Sequence, residues 1–305
     1  MSTISASMPR EVSVPRTGQL RSKSQGRRVR NVVALIVMWA SFGIAMIPLA
    51  WILFSVISQG IGLVTQSQWW SQSQANMTAR IEGGGAVHAI QGTLIQAAVT
   101  TAISVPIAIL TAIYLVEYGR GAFARGVSFM VDILTGVPSI VAGLFLYAVW
   151  VNVMGQHRVA FAVSLALVLL MIPVVVRSTE EMLKLVPNEL REASLALGVP
   201  KWKTIWSIVL PTAFPGIVTG VLLGLARVMG ETAPLLILGP YSPFINVNLF
   251  GGYMATLPTM INYERTEALE PAIGRAWAAA LTLILLILLL NLIGRLVAHF
   301  NKVKS

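Results

Sequence analysis

The sequence predicts an all-α fold: a polytopic membrane bundle of six transmembrane helices. Composition is the first reason, since 56% of the 305 residues are hydrophobic and only 11% are charged, outside the range of soluble globular domains. The second is length: six apolar stretches can cross a hydrocarbon core of ~30 Å, which takes roughly 20 helical residues. The third is the placement of Lys and Arg. A net charge of +10 with a pI near 10.4 would in a soluble chain point to nucleic acid. Here residues 1–30 hold seven of the bases and one acid, or +6 of the total, so the expected partner is the lipid membrane and no nucleic acid.

Taken in order, residues 1–30 are rich in Ser, Pro and Arg with almost no apolar run, the signature of a disordered tail. The first span, Val32 to Ile57 within residues 31–58, starts after Arg30 and is uncharged. It exceeds the ~7 to 15 residue core of a cleavable signal and reads as a retained anchor. Residues 59–85 are too polar to span, and Trp69-Trp70 place them at the external membrane surface, where amphipathic rings are favoured. Within residues 86–300 five more spans are expected, at Ala89 to Tyr118, Val127 to Met154, Val159 to Val176, Ala213 to Leu238 and Ala276 to Phe300. Basic loops stay cytoplasmic. With the tail inside, 17 of the 22 bases fall on its side and both termini are cytoplasmic. The external stretch from Pro240 to Gly274, with Glu264, Glu267 and Glu270 late in it, reads as a docking surface or as a plain solvated loop.

The cytoplasmic stretch 186–211 is predicted as a helix, a tight turn and a second helix. Asn188 is placed to cap the start, Leu190, Ala193 and Leu197 fall on one helical face, Gly198 suits a left-handed terminus and Pro200 prevents continuation. The second helical segment runs to Pro211. Two spans also contain charge. Arg227 and Glu231 are four apart, and Arg177 and Glu180 three apart, both intrahelical pairing distances. An intramembrane Arg is costly and has a partner or a function. Glu231 either neutralises Arg227 for insertion or shares with it a path on which guanidinium, a planar fork, meets an oxyanion. Arg177, at the inner end of its span, can also snorkel. Asp132 is expected to be a hydrogen-bonded interface residue. Gly216, Gly220 and Gly224 are expected to allow close helix packing. There is no Cys, the three His are scattered, and no phosphate-cradling Gly-x-x-x-x-Gly-Lys-Ser/Thr occurs. No metal or other cofactor is therefore expected on this chain, and no catalytic constellation is visible, so it is not expected to be an enzyme.

Glu192-Ala193-Ser194, three residues, Gly198, nine residues, Ile208, one residue and Leu210-Pro211 resemble the coupling signature of ABC importer permeases, with Ser194 in place of the second Ala. Arg227-Val-Met-Gly-Glu231-Thr-Ala-Pro-Leu235, Gly136-Val-Pro-Ser-Ile-Val-Ala-Gly-Leu144 and Val105-Pro106 through Gly119 are similar to stretches of phosphate ABC permeases of the PstA type. The resemblance implies a type I importer permease fold with a cytoplasmic coupling helix and translocation of inorganic phosphate in the inner membrane. It assigns Arg177, Glu180 and Arg227 to phosphate passage and places Glu231 in the same motif. It implies as partners a homologous permease of the PstC type, an ATPase dimer of the PstB type that uses ATP, and an external phosphate-binding protein of the PstS type. A permease for molybdate or sulfate is the alternative. A secondary transporter should show an inverted repeat and a coupling carboxylate, and no convincing repeat is found between spans one to three and four to six. A non-transporting scaffold would gain nothing from Arg227.

Overall fold

A computed structural model describes residues 24–300 of the chain, all of whose regular elements are helical. The expected disordered tail, residues 1–30, lies mostly outside the described residues. The chain forms two compact units. The first, ending at Ile52, is the exposed, apolar beginning of α1 (Ser24–Val64). The second starts at Leu53 and contains everything else.

In the second unit the end of α1 leads through the short α2 (Ser67–Ser71) to α3 (Val87–Ile113), which ends in a π-helical turn, Tyr114–Tyr118. α4 (Gly121–Gly136) and α5 (Ser139–Tyr147) follow, the latter closing in a second π turn, Ala148–Val153. α6 (Ala160–Leu185) is the central helix, buried along much of its length and packed on α3 and α9. α7 (Asn188–Ala196) and α8 (Lys201–Thr204) form the connector, and α8 runs through a third π turn, Ile205–Val209, into α9 (Leu210–Met229). α10 (Ala233–Leu238), α11 (Leu257–Thr266) and α12 (Glu270–Phe300) complete the unit. Among the described residues five helices are long and apolar enough to cross a membrane, six if the bent pair α4 and α5 counts as one span.

That bent pair corrects the expected third span. Val127 to Met154 is not one helix, because α4 and α5 meet at 104°. The cause is local. Pro138 has no N–H and its ring pushes Val137 out of the helical region, to φ −70°, ψ 125°. Two further boundaries move. The fourth span continues to Leu185 instead of stopping at Val176, so Arg177 lies eight residues before its helix ends and not at the terminus. The fifth begins in the connector and ends at Met229, so Glu231 stands in a break between α9 and α10 and not on a continuous helix. Pro211 does not end the second connector segment. The π turn before it, closed by Leu210 N–H on the Ile205 carbonyl, accommodates the missing donor and the chain continues as helix.

The segment after α1 is also more deeply built in than its composition predicts. Trp69 is fully buried and donates its indole N–H to Thr282 Oγ1 at 2.8 Å, while Trp70 is exposed and donates to the Val64 carbonyl. Trp69 therefore belongs to the core formed with Ala86, Ala89, Leu257 and Ala278. The stretch Pro240 to Gly274 is likewise not a plain solvated loop: α11 starts at a Thr256/Thr259 capping box and packs on α12. Its Glu264 is buried and binds Arg275 of α12 at 3.0 Å.

Candidate functional site

α6 holds Arg177 and Glu180 and α9 holds Arg227, with Glu231 just past its end, and the glycine contacts explain how these helices come together. Gly216, Gly220 and Gly224 of α9 face Met182, Ser178, and Val175 with Met171 of α6, and a Cβ on Gly220 would lie 1.9 Å from Ser178 Oγ. Small residues four apart thus permit the crossing, as the sequence predicts.

On α6, Arg177 is clasped on both edges. Its Nη1 donates to Glu180 Oε2 at 2.5 Å. Its Nη2 donates to Asp132 Oδ1 at 2.5 Å, to Ser128 Oγ at 2.9 Å and to the Ser128 carbonyl at 3.0 Å. Ser128 and Asp132 are one turn apart on α4, so Arg177 fastens α4 to α6. Glu180 is buried and its other oxygen faces Lys184 at 3.7 Å. Asp132 therefore does more than bond at an interface: it is a counter-ion of Arg177.

Arg227 is different. Its side chain is 49% exposed, and among the described residues its charged partner is Glu231, with Nε to Oε1 at 3.7 Å, too far for a hydrogen bond. A guanidinium with five donors and one distant carboxylate has its donors available to an anion. Beyond Glu231 lies a small pocket of about 10 Å³, on the order of one water, lined by Thr93 and Gln96 of α3, Met229 and Thr256. Gln96 is buried and its Oε1 has no hydrogen-bond partner among the described residues. Sequence reasoning missed Gln96, although Thr93, Gln96, Thr100 and Ser104 recur three to four residues apart and form a buried polar stripe on α3. Among the described residues no hydrogen bond or ion pair joins the Arg177 cluster to the Arg227 pair. A larger groove of about 750 Å³ between α3 and α9, lined by residues such as Val105, Leu110, Trp206 and Phe214, is apolar and offers an anion nothing.

The connector forms the expected helix, turn and helix, with one correction. Pro187, not Asn188, occupies the N-cap position, and Asn188 Oδ1 accepts from Arg191 at 3.3 Å instead. Gly198 is left-handed, at φ +77°, and Val199 N–H reaches back to the Ser194 carbonyl at 3.2 Å, the closure expected of such a terminus. Ser194 is buried, with its hydroxyl 2.8 Å from that of Thr204. Glu192, Ala193, Leu190, Leu195 and Leu197 are exposed, so the outer face of α7 is uncovered. Ile208, Leu210 and Pro211 stand at the π turn and the start of α9.

At the opposite end of the unit, Arg275 donates to Glu264 at 3.0 Å and to the carbonyls of Ile81 and Thr78 at 2.7 and 3.3 Å. Tyr241 donates to Gln74 Oε1 and stacks on Tyr263 with centroids 4.5 Å apart. Burial holds the Tyr241 hydroxyl protonated far above its ordinary range. Burial likewise raises the Glu264 carboxyl, against the opposing pull of Arg275.

The comparisons with known proteins agree with this architecture. Residues 104–302 match the family model described as binding-protein-dependent transport system inner membrane component. The phosphate transport system permease protein PstA of Mycobacterium leprae (strain TN) is 53% identical over 275 residues, covering 90% of each chain. The protein of the same name in Yersinia pestis is 40% identical, over 92% of this chain and 94% of its own. Among solved structures, an inward-facing form of the MetNI methionine ABC transporter matches with a TM-score of 0.55 at 19% identity, covering 71% of this chain and 94% of its own. A bacterial ABC transporter involved in import of the acidic polysaccharide alginate matches with a TM-score of 0.56 at 16% identity, covering 88% and 98%. Both share the ABC importer permease fold. The chain belongs to the family of binding-protein-dependent transport system inner membrane components.

Proposed function

We propose that the chain is the membrane permease subunit of an ATP-driven importer that carries inorganic phosphate into the cytoplasm. The observation that carries the reading is the half-exposed Arg227, whose charged partner among the described residues is Glu231 at 3.7 Å, within a stretch similar to that of phosphate permeases, in a chain 53% identical to a phosphate transport system permease protein. A guanidinium with donors to spare gives an oxyanion a transient partner, and charge-assisted bonds of this type are directional enough to guide it. Arg177 and Glu180 belong to the same path, as does Glu231.

The partners follow from the same reading: a homologous permease of the PstC type, two ATPase copies of the PstB type and an external binding protein of the PstS type. The exposed Leu190, Leu195 and Leu197 of α7 suit a groove on the ATPase, and ATP is bound there and not on this chain. Both termini face the cytoplasm. Since the chain has no Cys, a single Cys introduced at either terminus tests that orientation by its reaction with an impermeant thiol reagent.

Arg227→Gln tests the function. A bond from a charged donor is worth roughly 1.5–3 kcal/mol, so uptake at limiting phosphate should fall by tenfold or more while assembly is unchanged. Undiminished uptake removes Arg227 from the path. Competition of uptake by sulfate and molybdate decides between phosphate and the other oxyanions.

A further inference from the structure

Three helices of the connector end converge on Glu117, a residue of the π turn that closes α3. Arg191 of α7 directs both Nε and Nη2 to Glu117 Oε1, each at 2.9 Å. The rest of its guanidinium holds the end of α6, with Nη2 on the Leu183 carbonyl at 2.8 Å and Nη1 on the Val186 carbonyl at 2.6 Å. Lys201, the first residue of α8, donates to the Glu117 carbonyl and lies 4.7 Å from the centre of the Tyr118 ring. The pair is largely withdrawn from solvent, with side chains 16% and 6% exposed. By contrast, Ser194 alone among the residues of α7 is buried, and its hydroxyl contact with Thr204 leads into α8 and α9. A push on α7 therefore has two polar routes into the membrane helices, and the one to α3 runs through Glu117.

We propose that Glu117 is the positioning residue that passes displacement of α7 into α3, with the Tyr114–Tyr118 π turn as the joint. This rests on α7 being the ATPase contact. A π turn carries one residue too many for the α-helical ladder and recurs at functional sites. Here it is closed by Gly119 N–H on the Tyr114 carbonyl. Stability alone is a weak reason for such a pair, because replacing a buried ion pair with apolar residues of similar volume is often neutral or favourable.

The test uses the complete transporter in vesicles with the phosphate-loaded binding protein outside and ATP inside. Two variants are compared with the wild-type chain. In Glu117→Met/Arg191→Met the ATPase should stay bound and basal hydrolysis should persist. Stimulation of hydrolysis by the loaded binding protein, and uptake with it, should fall at least about fivefold, the lower end of ordinary coupling energies. Wild-type stimulation and uptake in that variant overturn the inference, and so does loss of the bound ATPase, which would make the pair a structural tie only. Leu195→Asp tests the underlying reading separately. It should release the ATPase, and full retention there overturns the assignment of α7 and the inference with it.

Discussion

Gly220→Ala probes the packing that carries both charged pairs, and its cost can be worked from distances. A Cβ at position 220 would stand 1.9 Å from Ser178 Oγ and 2.5 Å from Ser178 Cβ. The hydroxyl can rotate away, but the Cβ is fixed to the backbone of α6. Carbon atoms rest at about 3.5–4.0 Å, so α6 and α9 must part locally by about 1 Å. Overpacking of this kind costs roughly 1–3 kcal/mol, offset by up to about 1 kcal/mol from the better helix propensity of Ala. The expected net loss is about 1–2 kcal/mol. Gly216→Ala is the matched control: its Cβ would meet Met182 Sδ at 2.1 Å and Cγ at 2.6 Å, atoms of a flexible chain that can swing aside, so its cost should be close to zero. Because Ser178 follows Arg177, moving α6 also strains the bonds from Arg177 to Ser128 and Asp132, and phosphate uptake should fall for Gly220→Ala but not for Gly216→Ala. Denaturant unfolding in detergent measures the first effect and vesicle uptake the second. Adding Ser178→Gly to Gly220→Ala should restore both. Equal stability of the two single variants, or a larger loss at Gly216, would refute the argument.

Three further outcomes follow from the same geometry. Arg275→Met strips the buried Glu264 of its charge partner and leaves the Thr78 and Ile81 carbonyls without their donor, a loss of about 3–5 kcal/mol. With Arg275 gone, only the weaker Gln74 hydrogen bond opposes the burial that already raises the Glu264 carboxyl. A group whose folded pKa lies above its unfolded one favours the fold below the unfolded value and less as pH rises through the folded value. The deficit of Arg275→Met should therefore shrink as pH is lowered, and a pH series of unfolding curves checks it. Ser194→Ala removes one buried hydroxyl contact to Thr204 and should cost about 1 kcal/mol, read from unfolding curves in detergent. Gly198→Val forces a β-branched residue to φ +77° at a cost of order 1–3 kcal/mol, and the purified complex should retain less ATPase.

What the sequence disclosed were features whose physics is local. The turn at Gly198 could be placed because a left-handed terminus followed by Pro200 is decided within a few residues. Arg177, Glu180, Arg227 and Glu231 stood out because charges are rare in apolar spans, and the spacing of Gly216, Gly220 and Gly224 belongs to one helix. The misreadings share an opposite cause. Hydropathy registers Val127 to Met154 as one apolar stretch and cannot see a 104° bend, although Val137-Pro138 names the place where it must fall. Composition likewise cannot show that Trp69 is buried, because Thr282, 213 residues away, supplies the acceptor that allows it. Asp132 and Arg177 are 45 residues apart, and Glu117 and Arg191 are 74 apart, so neither pair has a periodicity to betray it.

The same distinction separates the two arginines that the sequence treats alike. Each has an acid one helical turn away, but a guanidinium has two edges, and one local carboxylate fills only one of them. For Arg177 the second edge is taken by Ser128 and Asp132 of α4. For Arg227 the helix stops at Met229, Glu231 leaves the helical register, and the nearest carboxylate oxygen stays 3.7 Å away. The break that the sequence concealed thus sets the state of the charge it revealed. Gly230 and Pro234 bracket Glu231, and restoring a continuous helix across them would bring Glu231 onto Arg227 and close the edge that the gap leaves open.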